Sequence, residues 1–359
     1  MGRRVLVIGA GWVARHVHLP RLLASGQVSE LTVTDLDPAA SGAVAREFGI
    51  AQLTPGRAAP ADLVVITTPP ASHAALATEA LSRGVDVAVE KPLATDAADA
   101  VALSELAARQ GRRLHVFHTP RYRADVRLLT ELVRSGRLGD IGHCSVRWLR
   151  RSGVPATAGT RADGLVWDLG AHLADLVTGL LPAGVAGTVV AGGRRAEVGR
   201  DDVAGWYPPG AAAFRPRLPE LVDVRAAAVL APGWTLALHA AWACSTARDR
   251  VEVEVVGSAG HARLQTLFGL SPDRQRLRGP ALTVTDARSG RQEALVPLPS
   301  HQPTEYDAQW APVWSAGDGL DDLAQSVRTV ALCAAIQAAV TSETAVAIPA
   351  VPAAPADAA

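Results

Sequence analysis

The chain has no surplus of charge. Lys plus Arg and Asp plus Glu both number 35 among 359 residues. Affinity for nucleic-acid phosphates or an acidic membrane draws on a basic excess, so neither partner is expected. Cysteine is scarce: Cys144, Cys244 and Cys333 are odd in number, scattered and without metal-ligand spacing. This argues against a disulfide framework or a zinc site, and it fits a reducing cytoplasm. No internal repeat and no apolar run approaching a membrane span is expected. Arg3-Arg4 before Val5-Leu6-Val7-Ile8 resembles the start of a signal peptide, but the apolar run is too short.

What is present is core-forming material. Hydrophobic residues make up 48% and charged residues 19% of the chain, the balance of a globular protein. The length suffices for roughly two domains. Residues 4–8 read as an apolar strand, followed by Gly9-Ala10-Gly11-Trp12-Val13-Ala14 and a helix to Ser25. This is a dinucleotide fingerprint in its proper setting. The first glycine permits a tight turn, the second admits a pyrophosphate, and the small Ala14 lets helix and strand pack closely. The helix N-terminus offers free N–H groups to phosphates. A second strand, Leu31 to Thr34, ends in Asp35, about 20 residues past the glycines, where an acid binds ribose hydroxyls. Asp35 would repel a 2′-phosphate and Leu36 supplies no cation, so NAD is expected rather than NADP.

Strands at 62–66, 85–89 and 114–117 alternate with helices at 73–83 and 97–109. Such alternation predicts a parallel sheet with right-handed crossovers. Ligands then bind beyond the carboxyl ends of the strands, where Gly9, Asp35, Thr68, Lys91 and His118 fall. In Glu90-Lys91-Pro92 the proline fixes its own φ and restricts the lysine before it. A surface lysine paired with a neighbouring carboxylate is the plainer reading of that tripeptide. Its place among the strand ends favours a site.

After a helix over 121–138 the pattern changes. Cys144 to Arg150, Val222 to Leu230, Trp234 to Ala243 and Val251 to Val256 read as strands, with turns at Ala231-Pro232-Gly233 and Gly257-Ser258-Ala259-Gly260. They predict a mostly antiparallel sheet packed on helices. Residues 194–220 read as an irregular excursion, Leu320 to Thr341 as a last helix, and the Ala/Pro-rich tail as frayed. Asp168, His172 and Asp175 share one face of a helix. An ordinary solvent stripe is one reading. A carboxylate orienting a histidine for acid/base work is the other. Trp148, Arg150, Arg151, Arg161, Trp206, Tyr207, Tyr306, Trp310 and Trp314 are candidates for either a polar pocket or the core.

Gly9-x-Gly11-x-x-Ala14, Thr68-Pro69 to His73, Glu90-Lys91-Pro92, the Leu132 to Ile141 stretch and Asp168-x-Gly170-x-His172 together resemble the Gfo/Idh/MocA oxidoreductases. Pro70 departs from that pattern, standing where an asparagine is common. The resemblance implies an α/β fold: a Rossmann domain over 1–120, then an α+β domain over 121–348 with a large open sheet, and a flexible tail over 349–359. It implies bound NAD(P) and a sugar, cyclitol or related polyol substrate. Gly9, Gly11, Trp12, Val13, Ala14, Asp35, Thr68, Pro69, His73, Glu90 and Lys91 fall on the cofactor side. His172 is implied as acid/base, Lys91 as the group polarising the reacting oxygen, Asp168 as orienting His172 or binding a hydroxyl, and Arg121 and Asp175 as substrate contacts. A homodimer or homotetramer through the second sheet is expected. Two rivals stay open: a hydrolase or lyase using NAD as a transient oxidant, and an inactive NAD-bound regulatory protein.

Overall fold

The computed structural model describes residues 2–57, 59–151, 164–181, 186–197, 220–231, 233–242, 246, 248–269, 282–296, 305–315 and 323–350. Arg161, Trp206, Tyr207, Pro232, Cys244, most of the 194–220 excursion and the tail beyond 350 lie outside the described residues. The chain forms two compact units, one of Met1–His118 with Tyr306–Val327, the other of Thr119–Glu305 with Arg328–Ala359.

The first unit holds a six-stranded sheet of β1 (Arg3–Ile8), β2 (Val28–Thr34), β3 (Ala51–Gln52), β4 (Leu63–Ile66), β5 (Asp86–Glu90) and β6 (Leu114–Phe117), in the order β3-β2-β1-β4-β5-β6. Every pairing is parallel. Strands buried on both faces must be apolar throughout, and β4 and β6 are buried at every position. The order reverses between β1 and β4, which opens a crevice at their carboxyl ends. The connecting helices are α1 (Leu19–Ala24), α2 (Pro38–Phe48), α3 (His73–Ser82) and α4 (Ala97–Gln110). Asp37 and Asp96 cap α2 and α4 by accepting their first free N–H groups. Between the glycine loop and α1, Ala14–His18 form a wide π-helical turn in which the Leu19 N–H reaches back to the Ala14 carbonyl.

One assignment is corrected here. Residues 121–348 are expected in the second domain, yet Trp310 and Val313 belong to the core of the first unit with Val5, Val33 and Phe117. Trp310 stacks on Trp314 at 5.3 Å and meets Phe117 at 4.9 Å. A helix-length pattern cannot reveal which core a late, short aromatic segment returns to.

The second unit carries a nine-stranded sheet. Its strands are β7 (Ile141–Leu149), β8 (Gly187–Ala196), β9 (Glu220–Leu230), β10 (Trp234–Ala241), β11 (Arg250–Gly257), β12 (Gly260–Thr266), β13 (Leu282–Asp286), β14 (Gln292–Val296) and β15 (Val346–Ile348). The order is β14-β13-β12-β11-β7-β10-β9-β8-β15, antiparallel except where β10 runs parallel to β7. Strand β9 alternates buried and exposed side chains, the sign of one packed face and one open face. Two helices of this unit are α5 (Ala124–Arg134) and α6 (Ala171–Leu180). The helix Leu323–Ser342 corrects a second expectation. With mean hydropathy 1.4 over a spanning window it is long and apolar enough to cross a membrane, but most of that window is buried inside the protein.

Candidate active site

In the first unit the site begins at the end of β1. Gly9 has φ +105°, and a Cβ there would stand 2.8 Å from the Thr67 carbonyl carbon. Only glycine fits that turn. The Thr67 N–H in turn donates to the Ile8 carbonyl at 2.9 Å, tying the end of β4 to the glycine loop. Gly11 is exposed, and a Cβ there would meet nothing within 4 Å. Open space above an exposed glycine at a helix N-terminus suits a pyrophosphate. At the end of β2 the Asp35 carboxylate accepts the Ala10 N–H at 2.7 Å and the Asp37 N–H at 2.9 Å. The acid expected at the ribose therefore also braces the glycine loop. These residues fit a dinucleotide.

Beyond β4 and β5 two loops are tied together. The His73 ring is fully buried, with Nδ1 2.7 Å from the Pro92 carbonyl and Nε2 2.8 Å from the Thr68 carbonyl. Burial pushes this imidazole below its ordinary value, the two carbonyls and Glu90 push it back up, and the Lys91 charge lowers it further. Glu90 accepts from His18 Nε2 at 2.7 Å and from the Lys91 N–H at 3.2 Å. Lys91 is half-buried, and its bond to Pro92 is cis. It is also the only lysine in the whole sequence.

The second unit carries a separate cluster. The segment Leu165 to Thr178 is buried except at Asp168 and His172. A solvent stripe would have exposed Asp175 as well, but Asp175 is 1% exposed and forms an ion pair with Arg121, with Thr329 donating to it at 3.2 Å. The two expected substrate contacts are thus bonded to each other in the interior. Asp168 stands on a second π-helical turn, Val166–Gly170. Its Oδ2 accepts from Trp242 Nε1 at 2.9 Å and from Arg150 Nη1 at 3.3 Å. The His172 ring lies 5.4 Å from that of Trp148, and the Arg150 guanidinium stands over the same indole at 5.6 Å. The cluster combines a part-exposed imidazole, a pinned carboxylate and an aromatic wall.

Residues 3–118 match the family model described as "Oxidoreductase family, NAD-binding Rossmann fold", and residues 126–263 match the GFO/IDH/MocA C-terminal domain. The chain belongs to the Gfo/Idh/MocA oxidoreductase family. A member from Amycolatopsis mediterranei, named "Putative UDP-kanosamine synthase oxidoreductase subunit", is 35% identical over 314 residues, covering 83% of this chain and 84% of that one. Inositol 2-dehydrogenase 3 of Saccharopolyspora erythraea is 33% identical over 150 residues, 39% of this chain and 44% of the relative. Among solved structures, an oxidoreductase domain protein from Kribbella flavida superposes with TM-score 0.77 at 20% identity, covering 97% of this chain and 99% of that one.

This Gfo/Idh/MocA protein is thus an NAD-binding oxidoreductase. Two residues of its candidate site escaped the sequence reading. His18 and Trp242 carry no motif, and each acquires its partner only through folding. The uniqueness of Lys91 was readable by a simple count.

Proposed function

We propose that this oxidoreductase, acting on CH–OH groups, interconverts a secondary alcohol and a ketone of a sugar, cyclitol or related polyol. The observation that carries the reading is the exposure pattern of Leu165 to Thr178: on an otherwise buried segment, the side chains that reach the surface are a carboxylate and an imidazole. When bound, NAD supplies the hydride acceptor or donor, chemistry that side chains lack. His172 takes the hydroxyl proton, or returns it to the ketone. Lys91 donates to the reacting oxygen and stabilises its developing negative charge. Asp168, pinned by Trp242 and Arg150, orients His172 or holds a neighbouring substrate hydroxyl. Trp148 offers a ring face to the apolar side of a sugar, and Arg150 a guanidinium to an anionic group. We place the protein in the cytoplasm and assign its open sheet face, where Val190, Val229 and Val256 are exposed, to homo-oligomer contacts. Light scattering would test that assembly.

The test is absorbance at the reduced-nicotinamide band against cyclitols, aldoses, keto-sugars and nucleotide-linked hexoses. The last class is included because the Amycolatopsis relative is named for a UDP-sugar. Turnover with one class, reduced at least about a hundredfold in Lys91→Met and in His172→Ala, supports the reading. Full activity in either variant overturns the assigned roles. NAD binding with substrate consumed and no net reduced cofactor would favour the hydrolase or lyase alternative.

A further inference from the structure

The backbone around Lys91 is held from both sides by imidazoles that no part of the proposed chemistry uses. On one side His18 Nε2 lies 2.7 Å from Glu90 Oε1, and the other oxygen of that carboxylate takes the Lys91 N–H at 3.2 Å. On the other side His73 Nδ1 lies 2.7 Å from the carbonyl of Pro92, the residue after the lysine. Both rings have 0% exposure. The His18 ring is fixed by Phe117 at 4.5 Å and by the edge of Trp310 at 5.5 Å. Its Nδ1 is buried with no hydrogen-bond partner among the described residues.

This arrangement is a costly way to fill a core. The Glu90 carboxylate is partly exposed and could be hydrated without a histidine, an ion-pair-like contact to a buried ring is weak evidence for stability, and an orphaned ring nitrogen forfeits a hydrogen bond. An apolar side chain at residue 18, beside Phe117 and Trp310, would pack without these penalties. The pair does fix two backbone groups, one on each side of the Lys91 side chain. Rigid support behind a reacting group keeps it within a fraction of an ångström of its working position.

We propose that His18, through Glu90, and His73, through Pro92, are positioning residues that aim the Lys91 ammonium. The inference rests on the role given to Lys91 above. It also explains why a wide turn interrupts the helix after the glycine loop. In a π turn the residues from 14 to 18 are wound more loosely than in an α-helix, and His18, the last of them, is the one that reaches Glu90.

Because Lys91 is the only lysine, full-length protein grown with [13Cε]lysine gives one lysine methylene signal, so its relaxation reads the mobility of this side chain alone. In His18→Leu and His73→Leu the transverse relaxation is expected to slow at least about twofold as the side chain is released. His18→Gln and His73→Asn each keep one donor and are expected to recover most of the wild-type rate. In the His18 variants NAD affinity, measured by titration of tryptophan fluorescence, is expected to stay within about threefold. With the substrate found in the panel, kcat is expected to fall about tenfold at little-changed KM in the leucine variants. In a Lys91→Met background the same substitutions should change turnover less than about twofold, the signature of residues acting through one another. Unchanged Lys91 relaxation in folded leucine variants overturns the inference, as do turnover losses that multiply in the Lys91→Met background. If the leucine variants do not fold, Glu90→Gln and the two conservative variants decide by the same relaxation measurement. Full turnover of Lys91→Met alone would overturn the role given to Lys91, while the relaxation result would still decide whether the imidazoles position it.

Discussion

The indole N–H of Trp242 and the guanidinium of Arg150 converge on one oxygen, Asp168 Oδ2, at 2.9 and 3.3 Å. The carboxylate is therefore held by a neutral and a charged donor together. Trp242→Phe keeps the ring and removes the first donor. A hydrogen bond to a charged group contributes about 1.5–3 kcal/mol, and part of that should appear as lost turnover. We expect kcat to fall about tenfold with NAD affinity unchanged, measured by steady-state kinetics and cofactor titration. Wild-type kinetics would separate Asp168 from the chemistry.

The two glycines of the fingerprint should fail differently. At Gly9 a Cβ meets the Thr67 backbone at 2.8 Å under a φ of +105°, so Gly9→Ala should cost more than about 1 kcal/mol in urea denaturation. At Gly11 a Cβ meets no protein atom within 4 Å. Gly11→Ala should leave stability within about 0.5 kcal/mol and weaken NAD binding by at least about tenfold. Equal stability losses in the two variants would contradict this division.

Asp175 and Arg121 form a nearly water-free pair, with side chains 1% and 6% exposed. Removing one partner of such a pair strands the other charge, at a cost of about 3–5 kcal/mol. Asp175→Ala should show that loss in urea denaturation, and Asp175→Leu combined with Arg121→Met should regain much of it. A stable Asp175→Ala protein with no turnover would instead return Asp175 to the substrate.

His73 sets a pH window. Burial holds its folded-state pKa below the ordinary value of 6.5, so the unfolded chain takes up the proton first as pH falls. Its contribution is then complete above about pH 6.5 and is lost as pH falls toward the lowered folded value. Between pH 8 and pH 5 the wild type should lose more stability than His73→Asn, read as the difference between their urea midpoints. Parallel curves would mean that His73 titrates alike in both states.

Much of the first unit was legible because its strands are continuous apolar runs. Val5 to Ile8, Leu63 to Ile66 and Val85 to Val89 announce themselves, and Asp35 and Lys91 follow from where such runs stop. The two-residue β3, Ala51–Gln52, is exposed at both positions and leaves no hydrophobic trace. In the second unit β8 is not expected at all, and the irregular excursion expected over 194–220 begins inside it, although its backbone pairs with β9 as far as Ala196. The parallel contact of β7 with β10 depends on pairing across about 90 residues, which no local pattern encodes. The Asp168–His172 spacing was visible, but its meaning was not. Only packing shows that Asp175, on the same predicted face, points into the core while the other two do not.

Both clusters lie on or directly after a helical segment that has been wound too loosely by one residue. Ala14–His18 and Val166–Gly170 each behave as an insertion absorbed without breaking the helix. Shortening either by one residue would let the backbone close into regular α geometry and change which side chains of that turn face each partner. The chain's length is therefore a tuned quantity at these two places. A trimmed helix could fold as well as before while facing His18 away from Glu90, or Asp168 away from Trp242.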